Sequence, residues 1–211
     1  MNWVNQFLSH PEFLEMGHAQ SKSDNNLGLG WIYYALARVN KPKNAICIGS
    51  WRGFVPMLIA KAIKDNQNDG QLIFIDPSLA DDFWRTPSKV NAWFEKFELS
   101  NIHHHLKTTQ QFIESQDYQQ IASVDFLFID GYHTAEQAKL DFEAFEKLLS
   151  DDAFVLFHDS IRPYESGIYG EDSKYTHTVY QYMAEFKKRN DFQFIEFEQG
   201  SGVSVFKKCK N

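Results

Sequence analysis

The stretch Phe126-Leu-Phe-Ile-Asp130-Gly-Tyr-His133 decides the fold of this chain, because a short apolar run stops abruptly on an acid and an imidazole. The run Phe154-Val-Leu-Phe-His158-Asp159 repeats the arrangement about one helix later. Apolar runs of this length, rich in Val, Ile and Phe, predict strands buried on both faces. Two parallel strands joined by a crossover helix end at the same edge of their sheet. We therefore expect the two acids and two imidazoles to meet at that edge, where open parallel sheets bind ligands.

Strands and helices alternate along most of the chain. The apolar runs predict seven strands, at residues 45–48, 72–75, 102–106, 124–129, 153–157, 192–197 and 203–206. Helical periods occupy residues 28–39, 55–64, 88–98, 109–115, 135–149 and 177–188. Such alternation predicts an α/β fold with a doubly wound, mostly parallel seven-stranded sheet. The turn Gln199-Gly-Ser-Gly202 is short enough to make a hairpin, so we expect an antiparallel last strand.

Length and composition limit the class of protein. With 211 residues, 43% of them hydrophobic, the chain can bury a sizeable core, and we expect a domain at 28–211 behind an N-terminal helical cap at 1–27. A net charge of −7 without clustered Lys and Arg argues against a nucleic-acid partner. Two isolated cysteines predict a reducing compartment. Because no signal core or membrane-length apolar run is visible, we expect a cytoplasmic protein with no membrane partner.

The first predicted strand runs into the turn Gly49-Ser-Trp-Arg-Gly53 and then a helix. Glycines allow a sharp turn and a close ligand approach, and a helix N-terminus offers unsatisfied N–H groups. The spacing G-x-x-x-G is not the G-x-G-x-x-G of dinucleotide binders, which disfavours a nicotinamide oxidoreductase. The second strand ends on Asp76, where an acid accepts hydrogen bonds from ribose, although turn chemistry before Pro77 is the alternative. Together these features favour an adenosine-type cofactor.

Four segments resemble class I S-adenosylmethionine-dependent methyltransferases: Ile46-Cys-Ile-Gly-Ser-Trp-Arg-Gly53, Phe74-Ile-Asp-Pro77, Phe128-Ile-Asp-Gly-Tyr-His133 and Phe157-His-Asp159. Over about residues 28–208 the chain is similar to the branch with Asp-Gly-x-His and His-Asp motifs, which includes macrolide-sugar and cephalosporin-pathway enzymes. The resemblance implies a Rossmann-like fold, S-adenosylmethionine as cofactor and a small hydroxylated acceptor. It implies that the cofactor-binding residues are Gly49, Ser50, Trp51, Gly53, Asp76, Ser78, Thr108, Thr109 and Asp130.

The same resemblance implies a reactive centre. Asp130, His158 and Asp159 resemble a metal triad, for which Mg²⁺ or Mn²⁺ is the expected ion. His133 resembles the general base that takes the acceptor proton. The resemblance implies that Asp130 is a catalytic residue as well. The middle ligand of related enzymes is commonly Glu, and an acid often stands where this chain has Cys47. These departures keep one alternative open, a cofactor-binding protein without turnover. A metal-dependent hydrolase that uses the same site without a nucleoside is a further alternative.

Several candidate residues also have structural interpretations. Asp130 could cap the helix that begins near Thr134, and His158 with Asp159 could form a structural pair. Neighbouring residues of a strand alternate faces, so three consecutive histidines at 103–105 cannot converge on one ion, and we expect a structural role for them.

The long aromatic loop at 162–177 leaves the acceptor open. Tyr164, Tyr169 and Tyr175 could form a lid over the acceptor or could be packing residues. Acceptor recognition resides in loops such as 78–88 and 162–177, which follow no general code. The sequence also leaves open a homo-oligomer, because the N-terminal segment could cover its own domain or a neighbouring copy.

Overall fold

The computed structural model of the chain describes residues 3–13 and 17–210. Its strands are β1 (Asn44–Ile48), β2 (Gln71–Ile75), β3 (Ile102–His105), β4 (Val124–Ile129), β5 (Leu149–His158), β6 (Tyr164–Ser166), β7 (Tyr175–His177), β8 (Phe192–Phe197) and β9 (Val203–Lys208). Its α-helices are α1 (Trp3–Leu8), α2 (Gly30–Asn40), α3 (Phe54–Asn66), α4 (Pro87–Glu95), α5 (Thr109–Ile113), α6 (Gln116–Gln119), α7 (Ala135–Glu146) and α8 (Val179–Phe186). Short 3₁₀ turns lie at Pro11–Phe13 and Glu171–Ser173.

Seven strands form one sheet in the order β3-β2-β1-β4-β5-β9-β8. The first five are parallel, and β9 runs antiparallel to both of its neighbours. The sheet is buried on both faces because alternate residues of each central strand enter different cores: Ala45 and Cys47 pack on one side, Ile46 and Ile48 on the other. The predicted α/β sheet with an antiparallel last strand is confirmed. All five parallel strands direct their carboxyl ends to one edge.

The structure differs from the sequence prediction at three connections. The predicted helix at 135–149 ends at Glu146, and β5 begins already at Leu149, which pairs with Val124 across a register irregularity. The helix predicted at 109–115 is followed by α6, because the hydroxyl of Ser115 accepts a hydrogen bond from the N–H of Tyr118 and starts a new turn. The loop 162–177 contains the antiparallel hairpin β6–β7, whose strands are too short to show an alternating pattern.

The N-terminal segment packs onto the main core. Phe7 and Phe13 are fully buried, and their ring centroids lie 5.5 and 6.1 Å from that of Phe54 in α3. Within the predicted cap of residues 1–27, positions 1, 2 and 14–16 lie outside the described residues. A bridge between Ser21 and Asn26 closes the polar loop ahead of α2. In the described ranges, none of the helices combines the length and apolar character needed to cross a bilayer.

Candidate functional site

A cavity of about 740 Å³ opens where the parallel strands end. Its volume falls in the range of small-molecule sites, roughly 300–1,000 Å³. The predicted site residues that line it are Gly49, Ser50, Trp51, Asp76, Ser78, Thr108, Thr109, Asp130, His133, His158 and Asp159. Of the site residues predicted from the sequence, Gly53 does not line the cavity. The edge of the sheet therefore brings the predicted cofactor end and the predicted reactive end into one space.

The turn after β1 is built from glycines in the left-handed region. Gly49 has φ +71°, and a Cβ atom there would overlap the backbone carbonyl of Asp130. Gly53 has φ +86° and precedes the first residue of α3. Only glycine adopts such φ values without steric cost, so the turn can lie directly against the end of β4. The thiol of Cys47, at the position where similar methyltransferases often have an acid, lies 3.6 Å from the carbonyl oxygen of Gly49.

Asp76, at the end of β2, is fixed by backbone donors. Its Oδ2 accepts from the N–H of Ser50 at 3.2 Å, and its Oδ1 accepts from the N–H of Ser78 at 2.7 Å. The hydrogen bond from the N–H of Ser78 is the turn interaction expected for an acid before Pro77. The hydrogen bond from the N–H of Ser50 links the carboxylate to the glycine turn. Burial raises the pKa of Asp76 to about 6, against the opposing effect of these two hydrogen bonds. A carboxylate is thus held rigidly in the cavity wall.

His158 lies between the two acids at the reactive end. Its Nδ1 is 2.8 Å from Oδ1 of Asp130 and 3.2 Å from Oδ1 of Asp159. Its Nε2 lies 3.1 Å from the hydroxyl of Ser201. Burial disfavours a charged imidazole, but the carboxylates outweigh burial and raise the pKa of His158 to about 9. Burial also opposes the charge of Asp159, whose pKa is nevertheless held below its usual range by His158.

A second imidazole pair lies on the other oxygen of Asp159. His177 Nδ1 is 2.6 Å and His133 Nδ1 is 3.4 Å from Oδ2 of Asp159. The two rings stack with centroids 4.2 Å apart. Burial lowers the pKa of His133 despite the nearby carboxylates. His133 is therefore a neutral imidazole at pH 7, a form that can accept a proton.

The end of β4 and the start of α7 are joined by a short turn that contains Asp130 and Thr134. The side chain that caps α7 belongs to Thr134, whose hydroxyl accepts from the N–H of Gln137 at 3.2 Å, so Asp130 does not cap this helix. His158 and Asp159 do form a close pair, as the structural alternative required. The backbone of Asp159 is left-handed, with φ +51°, an uncommon conformation for a residue with a Cβ atom. It places the carboxylate between His158 and His177.

Groups of three side chains with metal-binding atoms occur twice in the described part of the chain. One is His18, Asp130 and His158, the other His133, Asp159 and His177, and in each the candidate ligand atoms lie within 4.8 Å of one another. The predicted triad of Asp130, His158 and Asp159 is thus divided between two adjacent groups.

The three consecutive histidines of β3 have separate partners. His103 Nε2 lies 2.9 Å from the Gln71 side chain, His104 Nε2 lies 3.0 Å from the carbonyl oxygen of Asp76, and His105 Nδ1 lies 3.5 Å from an oxygen of Asp117. They belong to neither of the two groups described above.

Three residues in the site were not identified from the sequence. His18, whose ring centroid is 4.3 Å from that of His158, comes from the N-terminal segment, where no periodicity singles it out. His177 stands at the end of β7, a strand too short to predict. Asp141 occupies a buried position in α7, where the helical pattern predicts an apolar residue.

The aromatic residues of the loop gather on one wall of the cavity. The ring of Tyr132 stacks on Tyr175 at 4.8 Å and on Tyr169 at 5.7 Å, and Tyr164 contacts the His177 ring edge-on at 5.3 Å. Of the three tyrosines considered from the sequence, Tyr164 and Tyr169 line the cavity directly.

Comparison with known proteins places this chain in a family. Residues 46–160 match the family described as "Methyltransferase domain". A curated relative, the uncharacterized protein y4gI of Sinorhizobium fredii, is 24% identical over 216 residues, which cover 96% of this chain and 21% of that protein. The chain thus spans about a fifth of the length of this relative.

Solved methyltransferase structures share the fold. The O-methyltransferase TomG of Streptomyces achromogenes, in complex with SAM, is 15% identical, with a TM-score of 0.64 over 98% of this chain and 86% of that chain. The O-methyltransferase of Bacillus cereus, in complex with SAH, is 13% identical, with a TM-score of 0.67 over 97% and 87%. An SAH-bound methyltransferase of Podospora anserina is 12% identical, with a TM-score of 0.67 over 100% and 89%. Because the matched segment exceeds half of its length, the chain belongs to the methyltransferase-domain family.

Proposed function

We propose that this chain is an S-adenosylmethionine-dependent methyltransferase that methylates a hydroxyl group of a small molecule, such as a sugar. One observation carries the proposal: a single cavity joins the glycine turn and Asp76 to the neutral imidazole of His133. A methyl donor bound at the first end would face an acceptor held at the second. Similarity to O-methyltransferase structures crystallised with SAM or SAH supports the same assignment.

The donor set of the cavity fits this cofactor. S-adenosylmethionine supplies a methyl group on a sulfonium, and it carries two positive charges and a ribose. The cavity wall contains five carboxylates: Asp76, Asp81, Asp130, Asp141 and Asp159. Asp76 would accept hydrogen bonds from the ribose hydroxyls, and the turn Gly49–Gly53, with Ser50 and Trp51, would hold the methionine part. Ser78, Thr108 and Thr109 would border the ribose and the adenine.

His133 is the group that would take the proton of the acceptor. A hydroxyl is a poor nucleophile at neutral pH, so its proton has to leave as the oxygen–carbon bond forms and the carbon–sulfur bond breaks. Nδ1 of His133 faces Asp159, which leaves Nε2 as the atom that receives the proton. Asp159 and Asp130 then stabilise the imidazolium that results, because both carboxylates lie within 4.0 Å of Nδ1. The sulfur of the donor keeps the electron pair.

Asp130, His158 and Asp159 would hold a divalent cation. Nδ1 of His158 lies at 2.8 and 3.2 Å from the two carboxylate oxygens, a spacing compatible with a shared ion as well as with the ion pair. A bound Mg²⁺ or Mn²⁺ would lower the pKa of the acceptor hydroxyl and orient it. Without the ion, the same three groups hold one another as an imidazolium between two carboxylates.

The ion pair at His158 favours one competing function, a protein that binds the cofactor without turnover. The imidazolium occupies one oxygen of each carboxylate that the metal would need. In that case the reactive end would have a structural role, while the cofactor end would stay intact.

Two measurements test the proposal. Calorimetry and thermal unfolding with S-adenosylhomocysteine test the cofactor end, because a ligand at 100 times its Kd stabilises the folded state by about 2.7 kcal/mol. Asp76→Asn should weaken binding, whereas Asp82→Asn, an exposed acid on the following loop, should not. Release of S-adenosylhomocysteine from S-adenosylmethionine with a panel of hydroxylated acceptors tests turnover. Binding without turnover across the panel would support the competing function, and absence of binding would refute both.

A further inference from the structure

A histidine of the N-terminal segment lies at the reactive end of the cavity. His18 lines the cavity and is only 3% exposed, and its ring centroid is 4.3 Å from that of His158. Candidate ligand atoms of His18, Asp130 and His158 lie within 4.8 Å of one another. Asp130 and His158 belong to the proposed cation site, to which His18 would add a second imidazole.

The backbone around His18 is held by two elements of the main domain. The carbonyl oxygen of Gly17 accepts a hydrogen bond at 2.9 Å from the N–H of Ser201, in the turn between β8 and β9. The carbonyl oxygen of His18 accepts one at 2.8 Å from the N–H of Leu29, the residue before α2. A metal ligand on a fixed backbone needs little reordering when the ion binds. His18 is therefore placed as a ligand of a preformed site would be.

The ring of His18 also has two neighbours outside the cation site. It stacks on Phe54 with centroids 4.9 Å apart, and its Nδ1 lies 3.3 Å from the hydroxyl of Tyr33. A core histidine satisfied by these contacts is the alternative explanation for its position. The hydroxyl of Tyr33 accounts for only one ring nitrogen. With Nδ1–H donating to this hydroxyl, the lone pair of Nε2 is left for an ion, and Tyr33 orients the ligand.

The donor set determines which ion the site prefers. Imidazole nitrogens suit transition metals, whereas Mg²⁺ prefers oxygen ligands. We infer that His18 is a ligand of the cation held by Asp130 and His158, and that it makes the site prefer a transition metal such as Mn²⁺ over Mg²⁺. The inference rests on the proposed function, whose cation site it extends from one imidazole to two. The ion would also link the N-terminal segment to the ends of β4 and β5.

The first test counts the imidazoles on the bound ion in the wild-type protein. After chelation the protein is loaded with Mn²⁺, and pulsed electron paramagnetic resonance detects the nitrogen nuclei that are coupled to the ion. Two imidazoles should be coupled, one from His18 and one from His158. A single coupled imidazole, which His158 alone supplies, would refute the inference and leave the proposed function intact.

The second test compares the affinities for Mn²⁺ and Mg²⁺ by calorimetry. The wild-type protein should bind Mn²⁺ at least about 10-fold more tightly. His18→Phe keeps a ring that can stack on Phe54 but removes both nitrogens. Its affinity for Mn²⁺ should fall by more than about 10-fold, while that for Mg²⁺ should stay within about threefold, because Mg²⁺ gains little from an imidazole. His10→Phe makes the same change in the same segment, beside Trp93, and should retain both affinities.

The outcomes separate the inference from the function on which it rests. An equal loss of affinity for both ions in His18→Phe would show a structural role for His18 and would overturn the inference. Wild-type protein that binds neither ion, or both equally, would also overturn it. S-adenosylhomocysteine binding by the same preparation tests the methyltransferase proposal separately, because the cofactor end does not include His18. Should His18→Phe not fold, His18→Asn removes the imidazole in its place, and the imidazole count in the wild-type protein still decides.

Discussion

Nδ1 of His158 and Oδ1 of Asp130 lie 2.8 Å apart and join the ends of β5 and β4 across 28 positions of sequence. Both side chains are at most 10% exposed, so the pair is shielded from solvent. Asp159 provides a second carboxylate for the same imidazole. The imidazolium is the cation that the two carboxylates share, so its removal would leave both buried carboxylates without this partner.

His158→Ala should therefore destabilise the metal-free protein strongly. Two carboxylates would face one another without their shared cation, and breaking a buried pair costs roughly 3–5 kcal/mol. Urea unfolding followed by tryptophan fluorescence measures the difference. His103→Ala, a variant at an exposed histidine of β3, is the matched control and should change stability little. A loss below about 1 kcal/mol in His158→Ala would mean that the pair behaves like a surface ion pair.

His133→Ala should reduce turnover without weakening cofactor binding. General-base catalysis contributes about 10²- to 10⁴-fold, so kcat should fall by that amount. Calorimetry with S-adenosylhomocysteine should give the wild-type affinity, because the proposed role of His133 is to act on the acceptor and not to bind the cofactor. Near-normal turnover in this variant would contradict the proposal that His133 is the general base.

A divalent cation should remain with the purified protein in stoichiometric amount, as measured by elemental analysis. Exhaustive chelation should lower activity, and addition of Mg²⁺ or Mn²⁺ should restore it, because the cation would orient the acceptor hydroxyl. Asp159→Asn should lower metal occupancy, while Asp117→Asn, an acid beside His105 and away from the cavity, should retain it. Full activity after chelation, with no metal detected, argues decisively against the cation.

Gly49→Ala should destabilise the protein and abolish cofactor binding. The residue has φ +71°, and the added methyl group would collide with the backbone of Asp130, which cannot move without shifting β4. The expected loss is at least about 2 kcal/mol, combining left-handed strain with the displaced strand end. Gly167→Ala is the control, because the nearest atom to its Cβ would be 3.6 Å away. Thermal unfolding of the two variants should differ clearly; equal behaviour would mean that the turn is less constrained than its geometry indicates.

The stability of the ligand-free protein should depend on pH through Asp141. The pKa of Asp141 is about 6 in the folded protein, above its ordinary value of 3.8, so the folded state binds the proton more tightly than the unfolded state. The stability that this provides is fully present below pH 3.8 and is lost as the pH rises through 6. Asp141→Asn does not titrate in this range. Its free energy of unfolding, relative to that of the wild type, should therefore rise by about 2–3 kcal/mol between pH 4 and pH 7. Unfolding curves of both proteins at several pH values measure this change. A difference in unfolding free energy that does not depend on pH would contradict the prediction.

The sequence predicted the sheet and the edge that holds the site because both depend on short-range patterns. Apolar runs such as Phe126–Ile129 locate strands, and parallel strands bring Asp130 and His158 together without further information. His18 and His177 escaped prediction for physical reasons: His18 lies in an irregular segment whose path depends on tertiary contacts, and His177 ends a three-residue strand that is too short to show a pattern. Asp141 could have been detected, since a lone acid on the apolar face of a predicted helix is itself a departure from the pattern.

The left-handed backbone of Asp159 has an evolutionary consequence. A glycine in this position would adopt the same dihedral angles without steric cost. The same replacement would delete the carboxylate that both His158 and His177 contact. An aspartate is therefore expected to persist here, in spite of its backbone strain, only while its carboxylate remains under selection.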